Sequence, residues 1–383
     1  MKKHLKVGVF RTTYPLPSEV FITEQVKALN GFEPLFVCRD YFGKAEGSKV
    51  VYLHEKFSKW WWTFTRSASS FDLSQLKSLS LLHVHFGPDA VMAMPLAKKL
   101  NVPMLATFHG MDITRNKLDL LTSKRPTDLH YAIHLDALKR HGSGFIAVSD
   151  FVKNLLLKAG FDHDRIRRIY IGVDTARFCP VPKKSQQRYV LCVGRHTPKK
   201  GLATLFKAWA RVADQFPDVK LLQIGAGPQT AELVQLIADL SITGRVELLG
   251  SKSSEDVRSY MQQADVFALP SQTAPNGDSE ALGIVFNEAS ACGIPIVSTL
   301  HGGIPEAVLD GETGLLVPEG DDVALARALV TLLSNADLRA QMGKSGREFV
   351  LESFDIAKQT KILESFYGDA ITKHTASAGR QSA

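Results

Sequence analysis

Residues 189–201, YVLCVGRHTPKKG, contain an apolar strand-like run that is followed at once by a basic loop bounded by glycines. Next come Leu202, Leu205, Phe206 and Trp209, whose spacing is that of one face of a helix. A continuous apolar run of this length is typical of a strand buried in a parallel sheet. The segment therefore predicts a strand, a loop and a helix, which is the repeating unit of an α/β domain.

The loop of this segment is a candidate phosphate site. Backbone N–H groups at the start of a helix attract anions, and Arg195 and Lys200 add positive charge and hydrogen-bond donors. A solvent-exposed loop with hydrated cations explains the same residues equally well. Residues 300–306, LHGGIPE, repeat the arrangement after an apolar run at 295–299. Their paired glycines would let the backbone approach a ligand closely.

The alternation of apolar runs and helical patterns extends along the whole chain. It predicts two doubly wound parallel sheets in series, joined by a linker at residues 178–185, FCPVPKKS, where proline and charge interrupt both periodicities. We therefore place one domain at residues 1–178 and a second at 179–353. Because ligands of such sheets bind beyond the carboxyl ends of the strands, loops of the second domain should line a crevice. These loops follow Val193, Ile224, Pro270 and Thr299.

Two carboxylates stand eight positions apart in residues 279–288, SEALGIVFNE. Glu280 follows a polar loop, where a side chain can face a ligand, and Glu288 falls at or near the start of a helix. Two acids at different depths can hold two parts of one ligand, because an ionised carboxylate accepts several hydrogen bonds. Chance spacing among 39 acidic residues is the alternative explanation.

Composition indicates a globular protein that can bury large cores, since the chain has 383 residues and is 45% hydrophobic. The apolar run after the basic start at residues 1–4 is too short for a signal peptide, and no run approaches the roughly 18 residues of a membrane span. We therefore expect a soluble, cytoplasmic protein. The net charge of +7 suits anionic ligands, an anionic membrane face or nucleic acid. No nucleic-acid motif accompanies the charge, so we expect no nucleic-acid partner. The four cysteines are scattered singly along the sequence: Cys38, Cys179, Cys192 and Cys292. The sequence shows no cluster of metal-ligating residues.

Taken together, the motifs resemble those of the family-four retaining glycosyltransferases, which have the two-domain GT-B fold and use nucleotide-sugar donors. The likeness covers nearly the whole chain. In the C-terminal half it rests on residues 193–201, 224–228, 264–271, 302–308 and 311–318, together with Glu280 and Glu288. In the N-terminal half it rests on residues 107–110, 146–149, 172–174 and Phe178.

The resemblance implies an α/β protein of the GT-B fold, with two Rossmann-like parallel-sheet domains that face each other across a cleft. A last helix, at about residues 354–371, should return to the N-terminal domain, and residues 372–383 should form a disordered tail. The implied activity is transfer of a hexose from a nucleoside diphosphate sugar to a glycan or lipid-linked glycan acceptor, in the biosynthesis of an exported or cell-surface polysaccharide. The donor would be a UDP- or GDP-sugar, with no separate cofactor and no metal.

By the same resemblance, Arg195 and Lys200 bind the donor diphosphate. Glu280 contacts hydroxyls of the donor sugar, and Glu288 contacts the ribose hydroxyls of the nucleotide. His109 matches the family's histidine near the point of sugar transfer, and a surface histidine is the alternative explanation. We expect the catalytic group to be His109, Arg195, Lys200 and Glu280. The remaining donor contacts are expected from Gly194, Gly283, Ile284, Val285 and Gly303.

The chain also departs from the family pattern. Many members carry paired glycines in the first loop, where this chain has residues 12–19, TTYPLPSE, so no diphosphate contact is carried over to that loop. Ala281 stands where glycine is usual, which leaves the identity of the donor sugar open. Lys199 competes with Lys200 for the phosphate role, but we expect it to be solvated. Asp112 is expected to orient His109 or to contact the acceptor.

An aromatic segment in the N-terminal half suggests contact with a membrane. Residues 57–66, FSKWWWTFTR, concentrate three of the four tryptophans beside two cations. Aromatic side chains and Lys or Arg together favour the lipid interface. An aromatic segment that covers the core is an equally good explanation. We therefore keep peripheral contact with the cytoplasmic face of a membrane as a separate hypothesis.

Other functions remain open beside the transferase. One alternative keeps the GT-B architecture for a sugar-nucleotide epimerase or a glucan synthase. A third is a non-catalytic nucleotide-sugar-binding subunit, which the joint presence of Arg195, Lys200, Glu280 and Glu288 disfavours. The sequence leaves the sugar, the base, the acceptor, the linkage and the oligomeric state undetermined.

Overall fold

The computed structural model describes residues 5–43, 49–183 and 187–381. The basic start at residues 1–4 and positions 184–185 of the predicted linker lie outside these ranges.

The chain forms two compact units. One consists of Met1–Gly172 with Ala357–Ala383, and the other of Val173–Ile356. The chain thus leaves the first unit just before the predicted linker and returns to it near the beginning of the predicted last helix.

The first unit contains one seven-stranded parallel sheet. Its strands are β1 (Leu5–Tyr14), β2 (Phe32–Tyr41), β3 (Val50–Tyr52), β4 (Leu79–His85), β5 (Met104–Phe108), β6 (Gly144–Ala147) and β7 (Ile166–Arg168). Their order is β3-β2-β1-β4-β5-β6-β7, so the direction of winding reverses between β1 and β4. Every residue of β5 and β6 is buried, which explains why these strands are continuous apolar runs.

Helices connect these strands. They are α1 (Val20–Lys27), α2 (Lys56–Thr65), α3 (Leu73–Leu76), α4 (Gly87–Leu100), α5 (Met111–Thr114), α6 (Lys117–Thr122), α7 (Pro126–His141) and α8 (Asp150–Lys158). Helix α4 ends where Asn101 adopts the left-handed conformation, with φ of 54°, which is a common way to stop a helix.

The second unit contains a six-stranded parallel sheet in the order β10-β9-β8-β11-β12-β13. Its strands are β8 (Arg188–Val193), β9 (Val219–Ile224), β10 (Val246–Leu248), β11 (Val266–Ala268), β12 (Ile296–Thr299) and β13 (Gly314–Val317). Its helices are α9 (Leu202–Val212), α10 (Thr230–Asp239), α11 (Ser254–Met261), α12 (Ile284–Ala291), α13 (Ile304–Ala307), α14 (Asp322–Ser334) and α15 (Ala336–Ser353).

In this second sheet the winding reverses between β8 and β11. Ligands of open α/β sheets bind at such a reversal, beyond the carboxyl ends of the strands. The loops at 194–201 and 269–283 leave these two strands, so the fold brings the basic loop and Glu280 to one edge. The apolar face predicted for α9 is buried, with Leu205, Phe206 and Trp209 fully covered. The prediction of two doubly wound parallel sheets is confirmed.

The last helix, α16 (Ile356–Gln381), packs on the sheet of the first unit. Leu363, Phe366 and Tyr367 enter the core formed by residues of β1, β2, β5 and β6. At the helix surface, the Glu364 carboxylate accepts the backbone N–H of Asn30 and of Gly31, both at 2.7 Å.

This helix also covers most of the segment predicted to be a disordered tail. Residues 372–381 are polar, which is why composition favours disorder. A helix already nucleated by buried turns extends at little cost per residue. The hydroxyls of Thr372 and Thr375 donate back to carbonyls one turn earlier, which fits this continuation.

Candidate functional site

The basic loop after β8 holds its cations in different environments. Lys200 closes a single 3-10 turn, and its Nζ lies 2.5 Å from Glu280 Oε2, with only 13% of the lysine side chain exposed. Lys199 is also paired: its Nζ lies 3.1 Å from Asp278 Oδ1. The expectation that Lys199 is solvated is therefore wrong, because Asp278 folds back over the loop. Arg195, in contrast, is exposed, and its guanidinium has no partner among the residues that the structure describes.

Glu280 is a buried, ionised carboxylate. Burial by itself raises its pKa, but the charges of Lys200 and Lys199 and hydrogen bonds from Lys200 and Ser271 lower the pKa to about 2. The Ser271 hydroxyl lies 3.2 Å from the same Oε2 atom that Lys200 approaches. Glu280 and Lys200, to which the sequence assigns separate ligand contacts, thus form one neutralised unit.

The backbone around Glu280 is held by a histidine that the sequence analysis missed. The Glu280 N–H donates to His301 Nε2 at 3.1 Å, so that nitrogen carries a lone pair. The proton of the neutral ring is then on Nδ1, which donates to Glu319 Oε1 at 2.7 Å. His301 directly precedes the paired glycines, and this position in the motif is what could have indicated its role from the sequence.

The paired glycines serve close packing between loops. A Cβ on Gly302 would lie 2.2 Å from the Glu280 carbonyl oxygen, and one on Gly303 would lie 1.8 Å from that of Ala281. The Gly303 N–H donates to the Glu280 carbonyl oxygen and the Ile304 N–H to that of His301, both at 3.0 Å. These amides are already occupied by protein acceptors, so the close approach predicted toward a ligand is made to the chain itself.

Free amides occur instead at the beginning of α12. Gly283 precedes the helix with φ of 78°, a conformation that glycine adopts without strain. The N–H groups of Gly283, Ile284 and Val285 have no acceptor within the described part of the chain. They lie at the positive end of the helix dipole, which favours an anion.

Glu288 lies one turn further along α12 and is half-buried. Burial raises the pKa of its carboxyl to about 7, and the charge of Arg177 offsets only part of this increase. No hydrogen bond to the carboxylate is formed within the described residues. It therefore has open acceptor positions.

In the first unit, His109 follows β5 and is held between aromatic rings and another histidine. Its ring centroid lies 4.4 Å from that of Phe86 and 5.1 Å from that of Phe21. Its Nε2 lies 3.0 Å from Nδ1 of His85, the last residue of β4. Burial, with a contribution from the Arg11 charge, holds the pKa of both rings well below the ordinary value, so both are neutral.

Asp112 positions the loop rather than the imidazole of His109. Its carboxylate accepts the backbone N–H groups of Gly87 and Gly110 at 2.9 Å and that of His109 at 3.1 Å. Burial raises its pKa to about 6, although these hydrogen bonds act in the opposite direction. With 2% exposure it is not available to an acceptor molecule in this structure.

The first loop is held by a charge network that the sequence analysis also missed. Arg11 forms a two-point contact with the Glu19 carboxylate, at 2.8 and 2.7 Å, and pairs with Asp89 as well. Asp89 accepts the N–H and the hydroxyl of Thr12, both at 2.7 Å. The Arg11 guanidinium also lies 4.4 Å from the centre of the Phe86 ring. This network fixes the loop in which many family members have glycines.

The aromatic segment forms α2 and divides between core and surface. Trp62 is fully buried, with its ring 5.8 Å from Phe10 and 6.0 Å from Phe71. The other large side chains of the helix are exposed: Phe57, Trp60, Trp61 and Phe64. Covering of the core therefore accounts for Trp62 but not for the four exposed side chains.

Further exposed apolar side chains lie on neighbouring helices of the same unit. Helices α6 and α7 pack together, and α7 also contacts α2, where His130 Nε2 lies 3.1 Å from the Thr63 carbonyl oxygen. The exposed residues are Leu118 and Leu121 on α6, and Leu129 and Ile133 on α7. Among the described residues, no helix is long and apolar enough to cross a bilayer, and no cluster of His, Cys, Asp and Glu is suited to a metal ion.

Known families match both halves of the chain. The family model described as Glycosyltransferase Family 4 matches residues 19–177, and that described as Glycosyl transferases group 1 matches residues 176–349. The chain is 36% identical to the colanic acid biosynthesis glycosyltransferase WcaL of Escherichia coli, over 71% of this chain and 66% of the relative. It is 32% identical to a GDP-mannose-dependent alpha-(1-6)-phosphatidylinositol monomannoside mannosyltransferase of Mycolicibacterium smegmatis, over 71% of this chain and 72% of the relative.

Solved structures share the fold at low sequence identity. HepE of Anabaena, in complex with UDP and glucose, is 20% identical with a TM-score of 0.78, covering 96% of this chain and 100% of that one. Sucrose-phosphate synthase of Thermosynechococcus elongatus is 22% identical with a TM-score of 0.77 and the same coverage of 96% and 100%. With its motifs, its two parallel sheets and these relatives, the chain belongs to the family-four glycosyltransferases and has the GT-B fold.

Proposed function

We propose that this protein is a retaining glycosyltransferase that moves a hexose from a nucleoside diphosphate sugar to a glycan or lipid-linked glycan acceptor in polysaccharide biosynthesis. The proposal rests on the residues that lie at one edge of the second sheet. There Glu280, the free amides that begin α12 and the open carboxylate of Glu288 follow one another along a short stretch of chain, and Lys200 pairs with Glu280 from the loop after β8. Relatives named for colanic acid and amylovoran biosynthesis support a role in polysaccharide assembly. They do not favour an epimerase, a glucan synthase or a non-catalytic subunit.

The diphosphate is the part of the donor that this edge suits best. Transfer passes through an oxocarbenium-like state while negative charge grows on the departing diphosphate, so fixed donors and cations lower the barrier. The amides of Gly283, Ile284 and Val285 supply donors. Lys200 and Lys199 are each neutralised by a carboxylate, so Arg195 contributes the uncompensated positive charge. Lys200 keeps N–H donors beyond the one used by Glu280.

The two glutamates bind hydroxyl groups. Glu280 is ionised at neutral pH and contacts the sugar, and Glu288 contacts the ribose. Lys200 holds Glu280 in place while it accepts those hydrogen bonds. The relatives include enzymes named as GDP-mannose-dependent, and one neighbour in fold was solved with UDP and glucose. Both nucleotides therefore belong in a donor screen. Retention of configuration rests on membership of the family.

We further propose that the first unit contacts a lipid bilayer with anionic headgroups. The exposed rings of α2 have the amphipathic chemistry of interfacial anchors. Cations that form no ion pair within the described residues lie on α2, on α6 and in the loop after α6: Lys56, Lys117, Lys124 and Arg125. Their charge complements an anionic leaflet, and a lipid-linked acceptor would be met there.

Replacing Arg195 by alanine should reduce the rate of donor hydrolysis or transfer about a hundredfold, because one preorganised donor to the leaving group is lost. The assay measures nucleotide release and sugar transfer with a panel of UDP- and GDP-sugars, and also detects epimer formation. Arg327→Ala is the matched control, since Arg327 is an exposed arginine of α14 without an ion pair within the described chain. Equal rates in the two variants would remove the diphosphate role of Arg195.

Variants of the Lys200–Glu280 pair distinguish its contribution to stability from its contribution to activity. Lys200→Met should destabilise the protein by about 3 kcal/mol, because it leaves a buried carboxylate uncompensated. The double variant Lys200→Met with Glu280→Gln should regain most of that stability, since the remaining side chain is neutral. Both variants should stay at least a hundredfold below the wild-type rate. Urea unfolding and initial rates measure the two effects. A double variant with wild-type turnover would contradict the proposed roles.

Replacing Glu288 by glutamine should stabilise the free protein at alkaline pH and weaken donor binding. The pKa of Glu288 is about 7 in the folded protein and near 4.5 when unfolded, so the wild type loses stability through this group as pH rises between these values. The variant avoids that loss. Its melting temperature should exceed the wild type's by more at pH 8 than at pH 5, while calorimetry detects weaker nucleotide binding. A difference independent of pH would contradict the assignment.

Substituting the exposed rings should release the protein from vesicles without unfolding it. The variant carries Phe57→Ser, Trp60→Ser and Trp61→Ser, and leaves Trp62 in place because it belongs to the core. Flotation compares phosphatidylglycerol-containing vesicles with pure phosphatidylcholine vesicles at low and high salt. The control replaces Val234 and Val323 by serine, two exposed apolar residues of the other unit. Equal flotation of the variant and the wild type, or no flotation of either, would dismiss membrane contact.

A further inference from the structure

Three histidines lie together at the carboxyl ends of β4 and β5, and their hydrogen bonding is unequal. His83 is fully satisfied: its Nδ1 lies 2.7 Å from the Tyr367 hydroxyl and its Nε2 2.7 Å from that of Thr107. His85 and His109 share one hydrogen bond, and their rings stack with centroids 5.3 Å apart. His85 Nε2 and His109 Nδ1 are both buried and have no partner within the described chain.

Counting protons leaves two arrangements for this pair. Each neutral imidazole carries one N–H, and burial keeps both rings neutral by lowering their pKa. If His85 Nδ1 donates, then His109 carries its proton on the unpartnered Nδ1, and His85 Nε2 is a lone pair. If His109 Nε2 donates instead, then His85 must carry an N–H on its sealed Nε2, and His109 Nδ1 is only an acceptor.

Burial distinguishes the two arrangements. His85 is 1% exposed, whereas His109 is half-buried. A buried N–H without an acceptor is rarer in proteins than an under-satisfied acceptor. Either arrangement leaves one buried N–H without an acceptor among the described residues of the free protein. The first places that N–H on His109, the less buried of the two residues, and leaves only a lone pair at the deeper His85.

Nothing else in the described chain sets the tautomer of His109. Phe21 and Phe86 hold the plane of the ring, but they offer no hydrogen bond. Asp112 acts only on the backbone of the loop. The single directional contact to the imidazole comes from His85.

We propose that His85 is a positioning residue, which donates from Nδ1 to His109 Nε2 and so makes His109 present an Nδ1–H donor to a hydroxyl oxygen of the bound sugar. The inference rests on the proposed transferase function, since it specifies how His109 meets its substrate. His85 itself touches no substrate. The Nε2 atom of His85 stays buried within the first unit.

The test combines two variants of His85 with a direct reading of the tautomer. His85→Asn retains an amide N–H close to the position of Nδ1, and His85→Leu removes the hydrogen bond. Nitrogen NMR of histidine-labelled full-length protein should find His109 protonated at Nδ1 in the wild type and in His85→Asn. In His85→Leu the population protonated at Nε2 should rise. Tyr367→Phe, which removes a buried hydrogen bond from His83 alone, should leave the His109 signals unchanged.

The value of kcat should change with the tautomer of His109. In His85→Leu, kcat should fall by tenfold or more with little change in the KM for donor, because the misplaced donor matters most in the transition state. His85→Asn should recover most of that loss. A wild-type His109 protonated at Nε2, or a His85→Leu variant with an unchanged tautomer or kcat, would overturn the proposal. If His85→Leu fails to fold, loss of the Nδ1 proton or of kcat in the folded His85→Asn protein decides against it. Absence of transfer in the wild type would instead refute the transferase function, and the NMR result would stand by itself.

Discussion

The buried ion pair between Lys200 and Glu280 is the contact on which the second unit's candidate site depends. Removing two charges from water is costly, and the cost is offset only when geometry is good and the remaining hydrogen bonds are made. Ser271 adds a hydrogen bond to the carboxylate, and His301 fixes its backbone. The pair joins the loops that leave β8 and β11, the two strands between which the winding of the sheet reverses.

This pairing also changes how charge is distributed around the proposed diphosphate position. A basic loop with two lysines and an arginine suggests a strong positive potential, but carboxylates neutralise both lysines. What remains is one exposed arginine and the positive end of α12. Burial of Glu288 raises the pKa of its carboxyl and so disfavours the charged form, which hydroxyl donors of the proposed ribose would stabilise.

The first unit combines neutral histidines with an enclosed network of paired charges. Burial suppresses protonation of His85 and His109, and the charged Arg11 is enclosed by Glu19 and Asp89. The loop after β1 is thereby stiffened by side-chain contacts at the place where glycines would give other members freedom. Neutral imidazoles act through hydrogen bonds whose direction depends on the tautomer, so their immediate neighbours matter more than the pH of the solution.

The sequence by itself determined the two parallel sheets, the order of motif loops and the identity of the residues at the strand ends. Apolar runs and glycine-bounded loops are local patterns, and parallel sheets oblige consecutive strand ends to meet at one edge. Only the tertiary structure decided which of those residues touch. Lys200 meets Glu280 across 80 positions, Arg11 meets Asp89 across 78, and His85 meets His109 across 24. Tertiary packing also buries Trp62 and leaves Trp60 and Trp61 exposed, and it pairs the Gly303 amide with a carbonyl oxygen of the protein. Pairing, desolvation and proton placement depend on strand order and packing in three dimensions, which a linear pattern does not contain.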